Sequence, residues 1–376
     1  MNPKNPRKRG LASAALLLLA CLPFLCSCAA RTEPVETPRA ESIPPLVRTP
    51  PYPRVPVPEW PRSCVFKNVE KIVAVGDLHG AYEEFLAILS ETELINRNLH
   101  WTGGRTHLVQ LGDVMDRGPD ARGILDLIRR LQREAADAGG AVHMLLGNHE
   151  ELNIIGYSFD IEGYVTPEQF RAFLPDWFLK PKDAVFRAQA ATYEEYNRLW
   201  EEEMNGNREA RDQYTRTFNQ NYGRWLSQLP AVLVINDIVF VHGGLSEALS
   251  VLPCETINTN IAREFDRYLR WGDRNWAWIY QPSESSPLWN RDLATKSEDI
   301  IREEVDRILA NLKARAIVVG HSPTPNLDMN PRFGRFGEKV WDIDTGIWMK
   351  EGGLRSALVI KNGTFRMITA GSGERR

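Results

Sequence analysis

The sequence lacks a basic excess: 46 lysines and arginines stand against 49 acidic residues, a formal charge of −3, so the charge balance offers nothing to hold nucleic acid by its phosphates. It lacks internal repeats and low-complexity tracts, so no repeat architecture is in prospect. Its 27 glycines and 24 prolines are too few for a collagen-like or wholly disordered polymer. Only five cysteines occur, and none has the spacing of a zinc finger. The longest apolar run, Leu11 to Leu25, is too short to cross a bilayer comfortably. What remains is a chain of 376 residues, 43% hydrophobic and 25% charged, long enough for one large domain or two small ones.

The N-terminus reads as an export signal, residues 1–27, with Lys4, Arg7, Lys8 and Arg9 ahead of the apolar run. Leu25-Cys26-Ser27-Cys28 resembles a bacterial lipoprotein signal, which would make Cys28 the lipidated first residue of a periplasm-facing protein of the outer membrane. Cys21, after Leu18-Leu19-Ala20, is a second candidate, and a plain signal for a soluble periplasmic or secreted protein is the alternative. Cleavage before Cys28 removes four bases and no acids and takes the formal charge from −3 to −7. Residues 28–62 read as a tether: ten prolines lie between Arg31 and Arg62, and polyproline-like chain of that length spans ~90 Å. Cys64 and Cys254 then remain. They can pair in an oxidising compartment, but two buried free thiols are the favoured expectation.

Residues 63–376 change character. Apolar runs at Ile72 to Val75, His107 to Leu111, Val142 to Leu146, Val232 to Ile235, Ile238 to Val241, Ala316 to Val319, Val340 to Ile343 and Ala357 to Ile360 suit strands buried on both faces. Helical periods between several of them predict an α/β body with helices outside the sheets. Residues 153–229 read as a mainly helical insertion over one rim, a possible cap on a substrate cleft. There Thr166-Pro167-Glu168-Gln169 offers an N-cap, a proline at the first helical position and a capping-box partner.

Chemistry-bearing residues sit where the runs end. The first ends in Gly76-Asp77-Leu78-His79-Gly80, an oxygen ligand and an imidazole two residues apart. The next ends in Gly112-Asp113-Val114-Met115-Asp116-Arg117-Gly118, which adds carboxylates and an arginine able to grip phosphate through two parallel hydrogen bonds. Gly147-Asn148-His149-Glu150, His242-Gly243-Gly244 and Gly320-His321-Ser322-Pro323 follow. Four of the seven histidines thus occupy strand ends, whereas His100, His107 and His143 read as packing residues.

These motifs resemble the calcineurin-like metallophosphoesterases, and within them the phosphoprotein phosphatase branch, over roughly Ile72 to Thr369. Relatives with a broader diesterase habit end in Gly-His-x-His; here Pro323 holds the last position. Ser286-Pro287-Leu288-Trp289-Asn290-Arg291 and Asp344-Thr345-Gly346 are similar to the bacterial-type Shewanella-like phosphatases. The resemblance implies a four-layer α-β-β-α sandwich with the site on loops at one edge. It implies two metal ions, manganese, iron or zinc: Asp77 and His79 on the first, Asp113 bridging, and Asn148, His242 and His321 on the second. A bridging carboxylate between two dications and a bound water made acidic enough to attack phosphorus directly would follow. The resemblance makes His149 the proton donor to the leaving oxygen, oriented by Asp116, with Arg117 and Arg291 as phosphate clamps. Glu150 reads as structural and Asp344 as a loop holder. Trp271, Trp276, Trp278 and Trp289 read as a hydrophobic knot sooner than as the wall of a substrate groove.

The expected activity is a metal-dependent phosphomonoesterase acting on a phosphorylated protein, at Ser/Thr or Tyr, or on another accessible phosphate monoester. Alternatives are a small-molecule phosphomonoesterase, a dinucleoside polyphosphate hydrolase, which would need further basic residues for its longer phosphate chain, and a metal-loaded binding protein without turnover.

Overall fold

All eight apolar runs fold as strands, because β-branched side chains alternate between two apolar layers. In chain order the strands are β1 (Val65–Phe66), β2 (Lys71–Val75), β3 (His107–Gln110), β4 (Ala141–Met144), β5 (Val232–Ile235), β6 (Ile238–Val241), β7 (Ala316–Val319), β8 (Gly334–Arg335), β9 (Val340–Asp342), β10 (Ser356–Lys361) and β11 (Thr364–Thr369). They form a six-stranded sheet, β1-β5-β6-β7-β9-β8, and a five-stranded sheet, β11-β10-β2-β3-β4. The computed structural model describes residue 43 and residues 63–279, 286–324, 334–349 and 353–371, all within one compact unit, Glu41–Arg376. The signal read at 1–27 and the tether at 28–62 lie outside the described residues, apart from Ile43, which is half-buried against the core. No helix among the described residues is long and apolar enough to cross a membrane.

One apolar cluster lies between the sheets: Ile72, Ala74, Val109 and Leu358 from one, Leu233, Phe240, Val318 and Trp341 from the other. The alternate residues Val73, Val75, Val239, Val241, Ile317 and Val319 face the flanking helices. Those include Tyr82–Glu91 and Ala121–Asp137 on one side, Cys254–Trp271 and Glu298–Leu312 on the other. The ladders β2-β3-β4 and β6-β7-β9 are parallel, so the C-terminal ends of six strands reach one edge of the sandwich. That edge carries the strand-end motifs around Asp77, Asp113, Asn148, His242 and His321.

Between β4 and β5 the chain is helical in short pieces, among them Pro167–Phe173, Asp176–Gln189, Tyr193–Gly206 and Arg208–Phe218, with a π-helical turn at Asn219–Gly223. Their core is aromatic: Tyr214 stacks between Phe170 and Phe218, at 5.8 and 6.0 Å between ring centroids. Thr166 caps Pro167–Phe173 by accepting from Gln169 N. The return bond of a capping box is not made, because the amide of Gln169 turns inward to Asp116.

The cysteines depart from expectation. Cys64 and Cys254 form a disulfide. The parallel pairing of β1 with β5 carries Cys64 to the start of helix Cys254–Trp271, which packs on β5, a neighbourhood that a spacing of 190 residues conceals.

Candidate metal centre

The site is built by tight turns after the strands. His79, Asp113, Asp116, Arg117 and His321 all have φ between 44° and 70°, the left-handed region that side chains seldom adopt, so surrounding contacts must hold them there. Glu150 supplies the largest hold. Its carboxylate accepts from Asp113 N at 2.8 Å, Val114 N at 2.8 Å, Met115 N at 3.1 Å and Gly147 N at 2.9 Å, the structural role expected of it. Glycine is needed where the turns touch: a Cβ on Gly320 would come within 2.5 Å of Asp77 Oδ1, and one on Gly147 would collide with the Asp113 carboxylate.

The six residues expected as ligands converge, all buried. His242 Nε2 lies 3.0 Å from Asn148 Oδ1, 3.2 Å from His321 Nδ1 and 3.3 Å from Asp113 Oδ2. His79 Nε2 lies 3.8 Å from Asp113 Oδ2 and 4.0 Å from Asp77 Oδ2. Two backbone carbonyls set the tautomers. His79 Nδ1–H donates to Met115 O and His242 Nδ1–H to Leu111 O, which turns each Nε2 lone pair into the site. Among the described residues, His79, Asp113 and His149 form one cluster of ligand atoms within 4.8 Å of one another, and Asp113, His242 and His321 form a second. They share Asp113, as a bridge would.

The electrostatics fit cations. Burial first, then Asp344 and Asp113, raises the pKa of Asp77 well above the usual carboxylate range; burial likewise pushes Asp344 up to about 6. Asp342 is raised by burial and by Asp344. Burial also opposes charge on Asp113, but His242, His149 and His79 outweigh it and hold that carboxyl well below its ordinary value. His79 and His321 are lowered by burial and then by neighbouring imidazoles, while Asp113 overcomes burial to raise His242. Among the described residues, buried His321 Nε2 has no hydrogen-bond partner. Crowded oxygen and nitrogen lone pairs, with carboxylates reluctant to ionise, are what two positive ions would relieve.

The remaining candidates surround this cluster. His149 Nδ1 lies 2.8 Å from Asp116 Oδ2, and its Nε2 lies 3.8 Å from Asp113 Oδ2. Arg117 Nη1 donates to His79 Nε2 at 3.0 Å, and its guanidinium lies over Tyr164 at 5.3 Å and Trp348 at 4.8 Å. Arg291 donates to His321 O and Ser322 Oγ, beside the second donor cluster. Asp344 does hold its loop, accepting from Gly346 N at 3.1 Å. The four tryptophans divide: Trp271 is 72% exposed, Trp276 and Trp278 pack on the core, and Trp289 reaches the site, its ring 6.0 Å from that of His321 and its Nε1 donating to Glu151. A cavity of about 600 Å³ opens beside His79, walled by Tyr82, Pro119, Trp348, Met349 and Leu354.

With this geometry in view, the model of one family, calcineurin-like phosphoesterase, matches residues 70–325. The chain belongs to the calcineurin-like phosphoesterase family. Its relatives include Shewanella-like protein phosphatase 1 of Plasmodium berghei (strain Anka), 29% identical over 266 residues, 68% of this chain and 62% of that one. Shewanella-like protein phosphatase 2 of Arabidopsis thaliana is 35% identical over 211 residues, 52% of each chain. The chain therefore spans between about half and six tenths of the length of these relatives. The cold-active protein-tyrosine phosphatase of a psychrophilic Shewanella species shares the fold at 24% identity, with a TM-score of 0.56 over 82% of both chains. As a calcineurin-like phosphoesterase the chain carries the donors of a two-metal site. Sequence reading missed Tyr164, Trp348 and Glu151, which come from loops and a helix with no motif of their own. The glutamate after Gly147-Asn148-His149-Glu150 and the tryptophan after Asp344-Thr345-Gly346 were the only local hints.

Proposed function

We propose that this protein is a metal-dependent phosphomonoesterase whose substrates are phosphorylated proteins, at Ser/Thr or Tyr, exported and anchored through Cys28. The carrying observation is the sharing of Asp113 by two buried donor clusters at one strand-end edge. The names of the two phosphatase relatives favour a protein substrate. A disulfide between Cys64 and Cys254 suits an oxidising compartment and so supports export, with a soluble periplasmic or secreted form as the alternative.

Asp77, His79, Asp113, Asn148, His242 and His321 would hold two cations, with manganese, iron and zinc all compatible with mixed carboxylate, amide and imidazole ligation. Such ions would supply Lewis acidity toward the phosphoryl oxygens and make water more acidic. The chain's own residues do the rest. Arg117, braced between Tyr164 and Trp348, grips the phosphoryl oxygens, and Arg291, bonded to His321 O, is the second clamp. His149, held through Nδ1 by Asp116, presents Nε2 to protonate the departing alkoxide or phenoxide. The cavity beside His79 leaves room for the substrate beyond its phosphate.

The test strips the full chain of metal, then assays phosphotyrosine and phosphoserine peptides and a dinucleoside tetraphosphate before and after adding Mn²⁺, Fe²⁺ or Zn²⁺. Activity on the peptides should return with metal. Activity that survives thorough chelation overturns the reading, and preference for the tetraphosphate favours the polyphosphate hydrolase. For the anchor, Cys28→Ser should move the protein from the membrane to the soluble fraction; unchanged partition rejects it.

A further inference from the structure

The helical insertion reaches the acid pair through Asn153, Ser158 and Gln169, all of which bond Asp116. Gln169, in helix Pro167–Phe173, is fully buried and contacts Asp116 twice: its Oε1 accepts from Asp116 N at 2.7 Å, and its Nε2 donates to Asp116 Oδ1 at 2.7 Å. The second Nε2 hydrogen goes to Tyr214 Oη at 2.9 Å, and Tyr214 Oη in turn donates to Asn153 Oδ1 at 2.7 Å. Asn153 Nδ2 donates to Asp116 Oδ1 and His149 O, both at 2.9 Å. Ser158 Oγ donates to Asp116 Oδ2 at 3.1 Å, beside the bond from His149 Nδ1.

A longer contact of 3.3 Å from Gln169 Nε2 to Asn153 Oδ1 ties the two amides together. Four donors point at the Asp116 carboxylate, two at each oxygen, so it serves as acceptor. The ring of His149 must then carry a hydrogen on Nδ1. Gln169 also clamps the backbone at Asp116, the start of the left-handed pair Asp116 and Arg117, whose second N–H donates to Tyr164 O at 2.6 Å. Both the orienting carboxylate and the phosphate clamp are therefore aimed from the insertion.

We infer that Gln169 and Tyr214 are positioning residues for the phosphoryl-transfer site: they fix Asp116 as an acceptor and so set which nitrogen of His149 faces the leaving oxygen. This role rests on the acid assignment given to His149. The insertion thereby braces the proton donor.

The experiment compares the wild type with Gln169→Leu and with Tyr214→Phe, which keeps the ring stack and removes one hydroxyl. In the full chain loaded with Mn²⁺, kcat is measured on p-nitrophenyl phosphate, whose leaving group needs little protonation, and on a phosphoserine peptide. Gln169→Leu should lose on the order of tenfold or more in kcat on the peptide and far less on p-nitrophenyl phosphate, with KM unchanged. Tyr214→Phe should show the same bias, smaller. In a His149→Asn background, Gln169→Leu should add no further bias. Separately, ¹⁵N NMR of histidine-labelled, metal-free protein should show a Nδ1–H signal, assigned by its loss in His149→Asn, that Tyr214→Phe and Gln169→Leu shift or broaden. Equal losses on both substrates, or a bias that persists without His149, would falsify the positioning role. If no form turns over phosphate, the phosphatase reading fails, and the NMR signal alone still decides this one: an Nδ1–H signal untouched by both substitutions rejects it.

Discussion

Replacing Glu150 by glutamine removes one charge and alters almost no volume, yet it should unsettle the whole edge of the sandwich. Four backbone N–H groups converge on the carboxylate, two on each oxygen. A glutamine amide offers one oxygen, so whichever way it is turned two of those N–H groups lose their acceptor and face an NH₂ group. Each bond to a buried charged acceptor is worth roughly 1.5–3 kcal/mol, a gross loss of about 3–6 kcal/mol. Burial, then Asp113, raises the pKa of Glu150, so the native carboxylate already costs free energy that the neutral amide avoids. The net should be about 2–4 kcal/mol, or roughly 1 M in urea midpoint. Urea unfolding of metal-free wild type and Glu150→Gln measures it, and metal titration of the same samples should show at least about tenfold weaker binding because Asp113 loses its hold. A midpoint shift under about 0.2 M with metal affinity intact would refute the claim that this carboxylate anchors the turn.

Three further outcomes are expected. Asp113→Asn removes the shared carboxylate and should lose both metals together, read by elemental analysis of purified protein; retention of one full equivalent would contradict a bridge. The double variant Cys64→Ser/Cys254→Ser opens a loop with a sequence separation of 190 and should lose about 5 kcal/mol by chain entropy, as should the wild type unfolded in reductant. Coincident midpoints with and without reductant would count against it. Burial pushes His143 down to about 3 and His107 to about 4, against 6.5 unfolded. Neutral in the fold, they contribute stability above pH 6.5 that is lost as pH falls towards 3–4. His143→Phe should therefore narrow the acid-induced loss between pH 6.5 and 3 in the metal-free protein, and parallel stability curves would disprove it.

Legibility followed physical distinctiveness. Strands buried on both faces were plain because β-branched runs such as Ile238 to Val241 have few other uses, and the metal ligands were plain because turns after strands concentrate them in short motifs. Two-residue β1 and β8 are too short to carry a pattern, and β11, an edge strand with no fully buried residue, alternates too weakly. Gln169 was visible but assigned to a capping box, because local spacing cannot show that its amide finds a stronger partner 53 residues away in Asp116. The disulfide and Trp289's reach to His321 depend likewise on tertiary placement.

The donor set also has a mechanical consequence. Asp77, Asp113 and Asn148 hang from one sheet, His242 and His321 from the other, so ions seated among them would act as a rivet between two halves that otherwise adhere through apolar contact and a few hydrogen bonds such as that from His242 Nδ1–H to Leu111 O. Resistance to heat should then track metal supply, by about 2.7 kcal/mol when the free ion stands at a hundred times its dissociation constant. Starved of metal, the molecule would lose cohesion at the very seam where it works.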